Sequence, residues 1–192
     1  MKLILASQSP RRAQLLKEAG YKFKIIPSAY TENNLQNKNP YELVKEHALN
    51  KARPVASRLS EGIVIGADEV VVINNKILGK PKNKTEARKM LNTLNNKVNE
   101  VITGIALVDA KTKKEIIDFD STMVKFRKLN EEEIDAFIEK SRMFESSASG
   151  FAGAYAIQDI GKGWVEKIEG SYSNVVGLPM EKLKELLKQF KY

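Results

Sequence analysis

The segment Ser7-Gln8-Ser9-Pro10-Arg11-Arg12 brings together two serine hydroxyls, a helix-opening proline and two adjacent guanidinium groups. A helix N-terminus carries unpaired N–H donors and a partial positive charge, so it favours an anion. Paired arginines add planar forks that grip phosphate oxygens two at a time. The chemistry this grouping serves is phosphate binding; the plainer alternative is a capped surface helix with two solvated arginines. Asp68-Glu69 forms the second candidate, set between Ile63-Val64-Ile65 and Val70-Val71-Val72-Ile73. Two carboxylates at a strand junction bind a cation, open into a cleft, or make a polar turn. Either one can coordinate magnesium or take a proton from an attacking water. Lys80 follows in the tight turn Leu78-Gly79-Lys80-Pro81, where by itself it reads as a solvated turn lysine.

Composition removes the competing chemistries. The 192 residues include no cysteine, which excludes disulfides, thiolate metal sites and a cysteine nucleophile. The single histidine, His47, excludes multi-histidine metal sites, and any Ser-His-Asp triad would have to use it. On a helix among Val44, Ala48 and Lys51, His47 reads as a partly buried packing residue, and Trp164 likewise as packing. Lys and Arg number 32 against 24 Asp and Glu, a net charge of +8 spread along the chain, which favours a phosphate-bearing partner. The aromatic residues lack the basic-aromatic strand pattern of a single-stranded nucleic acid binder, so nucleic acid is not the expected partner. The apolar run Leu3–Ala6 is shorter than the roughly 7–15 residues of a signal peptide core. No segment nears the ~20 apolar residues of a membrane span. The expectation is a cytoplasmic protein with no membrane partner, folded as a single domain over 1–192.

The elements that must hold these residues follow from the hydrophobic pattern. Leu3–Ala6 predicts a buried strand, and Ser9-Pro10 starts a helix that Gly20 ends. Phe23, Ile25 and Pro27 mark a second strand, residues 30–39 a loop, and Asn39-Pro40-Tyr41-Glu42 a helix start with Glu42 in capping-box position. That helix runs to about residue 59, with Pro54 expected to kink or interrupt it. Two separate strands, 63–65 and 70–73, bracket the acidic pair, and Asn74-Asn75 marks a turn. Asn83 and Asn130 open helices, strands 98–109 and 115–127 form a hairpin, and 141–153 reads as a loop. Residues 154–157 and 164–168 predict strands, and Pro179 opens a terminal helix. The fold class is α/β with a mixed sheet.

Several motifs, read in order, resemble one family. Leu5-Ala6-Ser7-Gln8-Ser9-Pro10-Arg11-Arg12 followed by Leu15-Leu16, Gly66-Ala67-Asp68, Leu78-Gly79-Lys80-Pro81, Thr103-Gly104, Ala152-Gly153-Ala154-Tyr155-Ala156-Ile157-Gln158, and Ile168-Glu169-Gly170-Ser171-Tyr172 through Val176-Gly177-Leu178-Pro179 resemble the Maf nucleoside triphosphate pyrophosphatases. The resemblance spans residues 3 to about 187. It implies a mixed twisted sheet flanked by helices, in two lobes with a central cleft, as in Maf and ITPase-like proteins. It implies hydrolysis of a nucleoside triphosphate to monophosphate and pyrophosphate with a divalent cation, magnesium or manganese, in a family first associated with septum formation. By position, Asp68 is the proton acceptor; Ser7, Ser9, Arg11, Arg12, Lys51 and Lys80 bind the phosphates; Glu32 with Asp68 holds the metal; and Arg11, Glu69 and Gln158 bear on base choice. The Ser-Pro-Arg-Arg and Tyr-x-Ile-Gln forms resemble the branch acting on dTTP and UTP rather than the one acting on 7-methyl-GTP.

Glu69 stands where that branch usually has Thr, and it is placed to bind metal, raise the pKa of Asp68 or alter base choice. Asn99 stands where His is common, and Gly150-Phe151 replaces Asp-Lys, both bearing on local binding strength. The family resemblance also implies a homodimer. The rival reading is a catalytically weakened nucleotide- or nucleic-acid-binding protein with a regulatory role in cell division. The chemistry of the residues agrees with hydrolysis: breaking an α–β phosphoanhydride needs the leaving charge neutralised and a water placed in line.

Overall fold

The computed structural model describes residues 2–32, 38–141 and 152–190. Strands β1 (Leu3–Leu5), β2 (Phe23–Ile25), β3 (Ile63–Ile73), β4 (Lys76–Leu78), β5 (Val98–Asp109), β6 (Glu115–Phe126) and β7 (Val165–Glu169) make one mixed sheet. Its order is β2-β1-β3-β5-β6-β7, with β4 paired to β3. β1 lies parallel to β2 and β3, and the other pairings are antiparallel. Helices α1 (Pro10–Glu18) and α2 (Pro40–Ala56) make the early connections. Later come α3 (Lys84–Leu94), α4 (Glu131–Lys140), α5 (Ile157–Trp164), α6 (Tyr172–Val176) and α7 (Met180–Lys188). The α/β class with a mixed sheet is therefore as read from the pattern.

Alternation along β3 divides the core between the two faces of the sheet. Val64 packs with Ala48, Ala52 and Val55 of α2, whereas Ile63 and Ile65 pack with Leu183, Leu186 and Leu187 of α7. A third cluster joins Val71, Leu91, Phe126 and Ile134, and there Trp164 packs on Phe137 at 4.8 Å, as a packing residue should.

Four local expectations are corrected. The strand broken at the acidic pair is in fact continuous, and β3 pairs with β5 in unbroken register from Ile63↔Asp109 to Val72↔Glu100. The polar pair is tolerated because charged groups meet its carboxylates. Residues 154–157 are not a strand: a 3-10 turn at Ala152–Ala154, with Gly153 at φ 67° and Ala154 at φ 65°, leads into α5. Pro54 does not interrupt α2, which continues through it to Ala56, although the proline removes the N–H that would bond the Asn50 carbonyl. Glu42 pairs with Lys45 at 2.6 Å, and the Asn39 side chain caps the helix by accepting from the N–H groups of Tyr41 and Glu42. The full capping box is at Asn130 and Glu133. Parts of the expected loops, residues 33–37 and 142–151, lie outside the described residues, as does the Gly150-Phe151 departure.

Two features of the sheet prepare the site. β1 covers Ile63–Ile65 on one edge of β3 and β4 covers Val71–Ile73 on the same edge, so among the described residues the stretch between them has no strand partner there. On the face toward α2, β3 and β5 carry glycines: a Cβ at Gly66 would stand 2.1 Å from the Ala48 carbonyl oxygen, and one at Gly104 2.2 Å from that of Val44. Gly104 is the register partner of Asp68, so the helix backbone descends onto the sheet beside that carboxylate. Gly104→Ala is accordingly expected to destabilise the protein by about 3 kcal/mol through overpacking, and to lower Tm by roughly 6–12 °C. Thermal unfolding checks this, and an unchanged Tm would mean that α2 does not lie so close.

Candidate active site

The uncovered edge of β3 opens into a cleft of about 300 Å³. The β1–α1 loop and the start of α1 line one wall with Ser7, Ser9, Arg11 and Arg12. Lys51 of α2, Asp68 and Glu69 of β3, and Lys80 of the turn after β4 line the others, with Tyr30 and Glu32 at one side. Every residue that the sequence assigned to phosphate or metal thus meets in one cavity. Gln158 does not: it is exposed at the start of α5 and is not in the lining. Asn99 does not either. It is 1% exposed, donates to the Val124 carbonyl at 3.0 Å and accepts from the Tyr155 hydroxyl at 3.1 Å, so it anchors Tyr155 instead of touching a ligand.

Asp68 and Glu69 are neighbours on a strand, so their side chains leave on opposite faces. Asp68 is 5% exposed and turns to α2. Its Oδ1 accepts from Lys51 Nζ at 2.6 Å, and its Oδ2 lies 3.1 Å from His47 Nδ1. Lys51 also donates to Glu32 Oε1 at 2.6 Å. Burial pushes the Asp68 carboxyl up, but the Lys51 charge and the His47 and Lys51 hydrogen bonds outweigh it and hold the group well below the ordinary carboxylate value. Of the three roles the sequence offered for Glu69, raising the pKa of Asp68 is not the net outcome, because Lys51 and His47 on the α2 side hold that carboxyl down. His47, read from sequence as packing, is 2% exposed and hydrogen-bonded to Asp68, which pushes its imidazole pKa up. A signal for it existed, because His47 and Lys51 are four residues apart and share a helix face.

Glu69 turns the other way. Its Oε2 would lie 2.6 Å from a Cβ on Gly177 and would have to shift to admit one, while the φ of 109° at Gly177 is a backbone conformation that side-chain-bearing residues rarely adopt. Burial pushes the Glu69 carboxyl up although Arg12, Arg11 and Lys80 pull it down. Arg12 is held by protein acceptors on three sides: Nε donates to the Gly177 carbonyl at 2.7 Å, and Nη1 to the Ala67 carbonyl at 2.9 Å and Ser7 Oγ at 3.2 Å. The Ala67 carbonyl lies on the edge of β3 that neither β1 nor β4 covers. Ser9 occupies the N-cap position of α1, yet its side chain makes no cap bond, and it is Ser7 Oγ that accepts the Ser9 N–H at 3.1 Å.

Glu32, His47 and Asp68 offer ligand atoms that all lie within 4.8 Å of one another. Two carboxylates already converge on one cation, the Lys51 ammonium. Hard oxygen donors focused on a positive charge fit a divalent cation of the magnesium type. Chemically, the site can gather a polyanion against arginines and lysines and present an ionised carboxylate to it.

A mixed α/β sheet with a carboxylate at the base of a cationic cleft is an arrangement suited to a phosphorylated anion. The sequence pattern of the family described as Maf-like protein matches residues 2–190, and the chain belongs to that family. A dTTP/UTP pyrophosphatase of Thermoanaerobacter sp. (strain X514) is 47% identical over 190 residues, 98% of this chain and 96% of the relative. One from Clostridioides difficile (strain 630) is 43% identical over 190 residues, 99% of this chain and 95% of the relative. Among solved structures, the Ham1 protein of Staphylococcus aureus is similar with a TM-score of 0.47 and 14% identity, over 66% of this chain and 72% of that one. Among the described residues no helix is long and apolar enough to cross a membrane.

Proposed function

We propose that this chain is a nucleoside triphosphate pyrophosphatase that hydrolyses dTTP and UTP to the monophosphate and pyrophosphate, as one domain acting in the cytoplasm on the nucleotide pool. The single observation that carries the reading is the Asp68 carboxylate, ionised by Lys51 and set in a cleft lined by Arg11, Arg12 and Lys80. The relatives' names support the substrate. Arg11, Arg12, Lys80, Ser7 and Ser9 bind the triphosphate, neutralising charge that grows on the departing pyrophosphate. Asp68 accepts a proton from the water that attacks in line as the α–β anhydride bond breaks. Lys51 moves its charge between the carboxylates and the phosphate oxygens. Glu32 and Asp68 would hold a magnesium or manganese ion, which when bound neutralises phosphate charge and acidifies water. Arg11 and Glu69 in the cleft, and Gln158 at its exposed position, act on base choice.

Pyrophosphate release by the wild type from a panel of nucleoside triphosphates, with magnesium or manganese, tests the reading. Release from dTTP and UTP ahead of purine nucleotides is the expected result. Metal-independent binding without release would favour the weakened binding protein. Glu69 adds a sharper expectation, because its negative charge stands among the cations that receive the triphosphate. Glu69→Gln removes that charge and should lower KM for dTTP and UTP by about threefold or more. It should also raise Tm, since burial disfavours the ionised form. A raised KM would instead place the Glu69 carboxylate on the cation side of the bound substrate.

A further inference from the structure

His47 is the chain's single histidine, and the hydrolysis described above makes no use of it. It is fully buried on α2, with the Tyr30 ring edge-on at 5.7 Å. Tyr30, Lys51 and Asp68 line the cleft, and His47 does not. The imidazole therefore meets Asp68 from behind, away from the space in which a substrate would sit. The two side-chain donors to Asp68 are thus unlike: Lys51 Nζ on Oδ1 belongs to the cleft wall, and His47 Nδ1 on Oδ2 belongs to the interior.

An ionised carboxylate has lone pairs and no hydrogen to give. With the Lys51 ammonium at 2.6 Å from Oδ1, Asp68 is the acceptor in both contacts, so the hydrogen toward Oδ2 sits on His47 Nδ1. An incoming triphosphate attracts the Lys51 ammonium away from Oδ1. Once that happens, the His47 hydrogen bond still holds Asp68 from its buried side. A carboxylate held only from the cleft side is free to turn about its Cβ–Cγ bond as the contacts there change, and its lone pairs then leave the line of the attacking water.

We infer that His47 is a positioning residue: its Nδ1–H fixes Oδ2 of Asp68, so that the carboxylate keeps its orientation while Lys51 engages the phosphates. This inference rests on the pyrophosphatase reading. It assigns His47 no contact with substrate and therefore predicts an effect on turnover and not on substrate affinity. Packing alone would be served equally by a leucine, which fills the same space without a donor.

The test compares the wild type with His47→Leu, His47→Gln and His47→Asn in steady-state pyrophosphate release from dTTP at saturating metal, with thermal unfolding of each. Asn carries its amide nitrogen close to the place of Nδ1, Gln carries it farther out, and Leu has none. The expected result is a fall in kcat of about tenfold or more for Leu and Gln, with KM within about threefold of the wild type. Asn should recover most of the lost kcat. If Leu proves too unstable to assay, the contrast between Gln and Asn carries the same information. Wild-type kcat in the Leu or Gln variant, an equal loss in Gln and Asn, or a loss confined to KM would overturn the assignment. No turnover by the wild type would instead sink the pyrophosphatase reading itself.

Discussion

Asp68→Asn is expected to lower kcat for pyrophosphate release by about a thousandfold or more, within the range of a lost general base. The amide has nearly the shape of the carboxylate and keeps an oxygen for Lys51, but it cannot take up a proton at neutral pH. Binding of dTTP, read by titration calorimetry, should survive, because the arginines and Lys80 remain. Turnover within tenfold of the wild type would remove Asp68 from its role as base. The same substitution has a stability signature. The folded-state pKa of Asp68 lies below its value of about 3.9 in an unfolded chain, so its contacts stabilise the fold above about pH 4. That contribution drains as the pH falls toward the lower folded-state value. At pH 7 the variant should be less stable by about 2–3 kcal/mol, below the full penalty of breaking a buried pair because Lys51 keeps Glu32. The gap between wild type and variant should narrow on acidification below pH 4. A gap that stays constant from pH 7 to 3 would mean that the carboxylate's charge contributes nothing to the fold.

The Ser7–Arg12 wall of the cleft was legible in the sequence because its residues are contiguous. Ser7 through Arg12 run from the loop after β1 into the first turn of α1, so their chemistry is visible in a short window, although the orientation of Arg12 also depends on the Ala67 and Gly177 carbonyls. The α2 side was less legible. His47 and Lys51 bear on Asp68 only after a helix has packed onto a sheet, and that packing depends on Gly66 and Gly104 lacking side chains. Read singly, a histidine among apolar neighbours looks like core; read with Lys51 one turn on, it belongs to a polar face. β3 was divided at Asp68-Glu69 because local pattern treats adjacent charges as a break. The strand runs through because each carboxylate finds cations on its own face, Lys51 for one and the Arg12 region for the other. Residues 154–157 misled in the opposite sense: a short apolar run reads as a buried strand, but the left-handed backbone at Gly153 and Ala154 turns it out of the sheet. Arg12 combines the two situations, since its motif was visible and its three protein acceptors were not.

Arg12→Lys should lower kcat/KM by about a hundredfold or more and also lower Tm, although the charge is unchanged. In a lysine the charge sits on one nitrogen at the end of a flexible stem. One ammonium cannot reproduce the Nε bond to the Gly177 carbonyl together with the Nη1 bonds to the Ala67 carbonyl and Ser7 Oγ. Those acceptors belong to the segment after α6, to the uncovered edge of β3 and to the β1–α1 loop, so the guanidinium ties three parts of the cleft wall together. Gly177 is itself tethered: the neighbouring Asn174 side chain donates to the Val101 carbonyl and to Thr122 Oγ1 at 3.0 Å each. Loosening Arg12 therefore frees the wall on its α1 side while the β5–β6 side stays fixed. Charged hydrogen bonds contribute about 1.5–3 kcal/mol each, and losing one or two of the three predicts a stability loss of about 2–4 kcal/mol. A phosphate ligand that played no part in the wall would give a different pattern, with KM raised and Tm unchanged. Thermal unfolding beside steady-state kinetics separates the two. Unchanged Tm with reduced activity would leave Arg12 as a phosphate ligand alone, and wild-type values of both would remove it from the site.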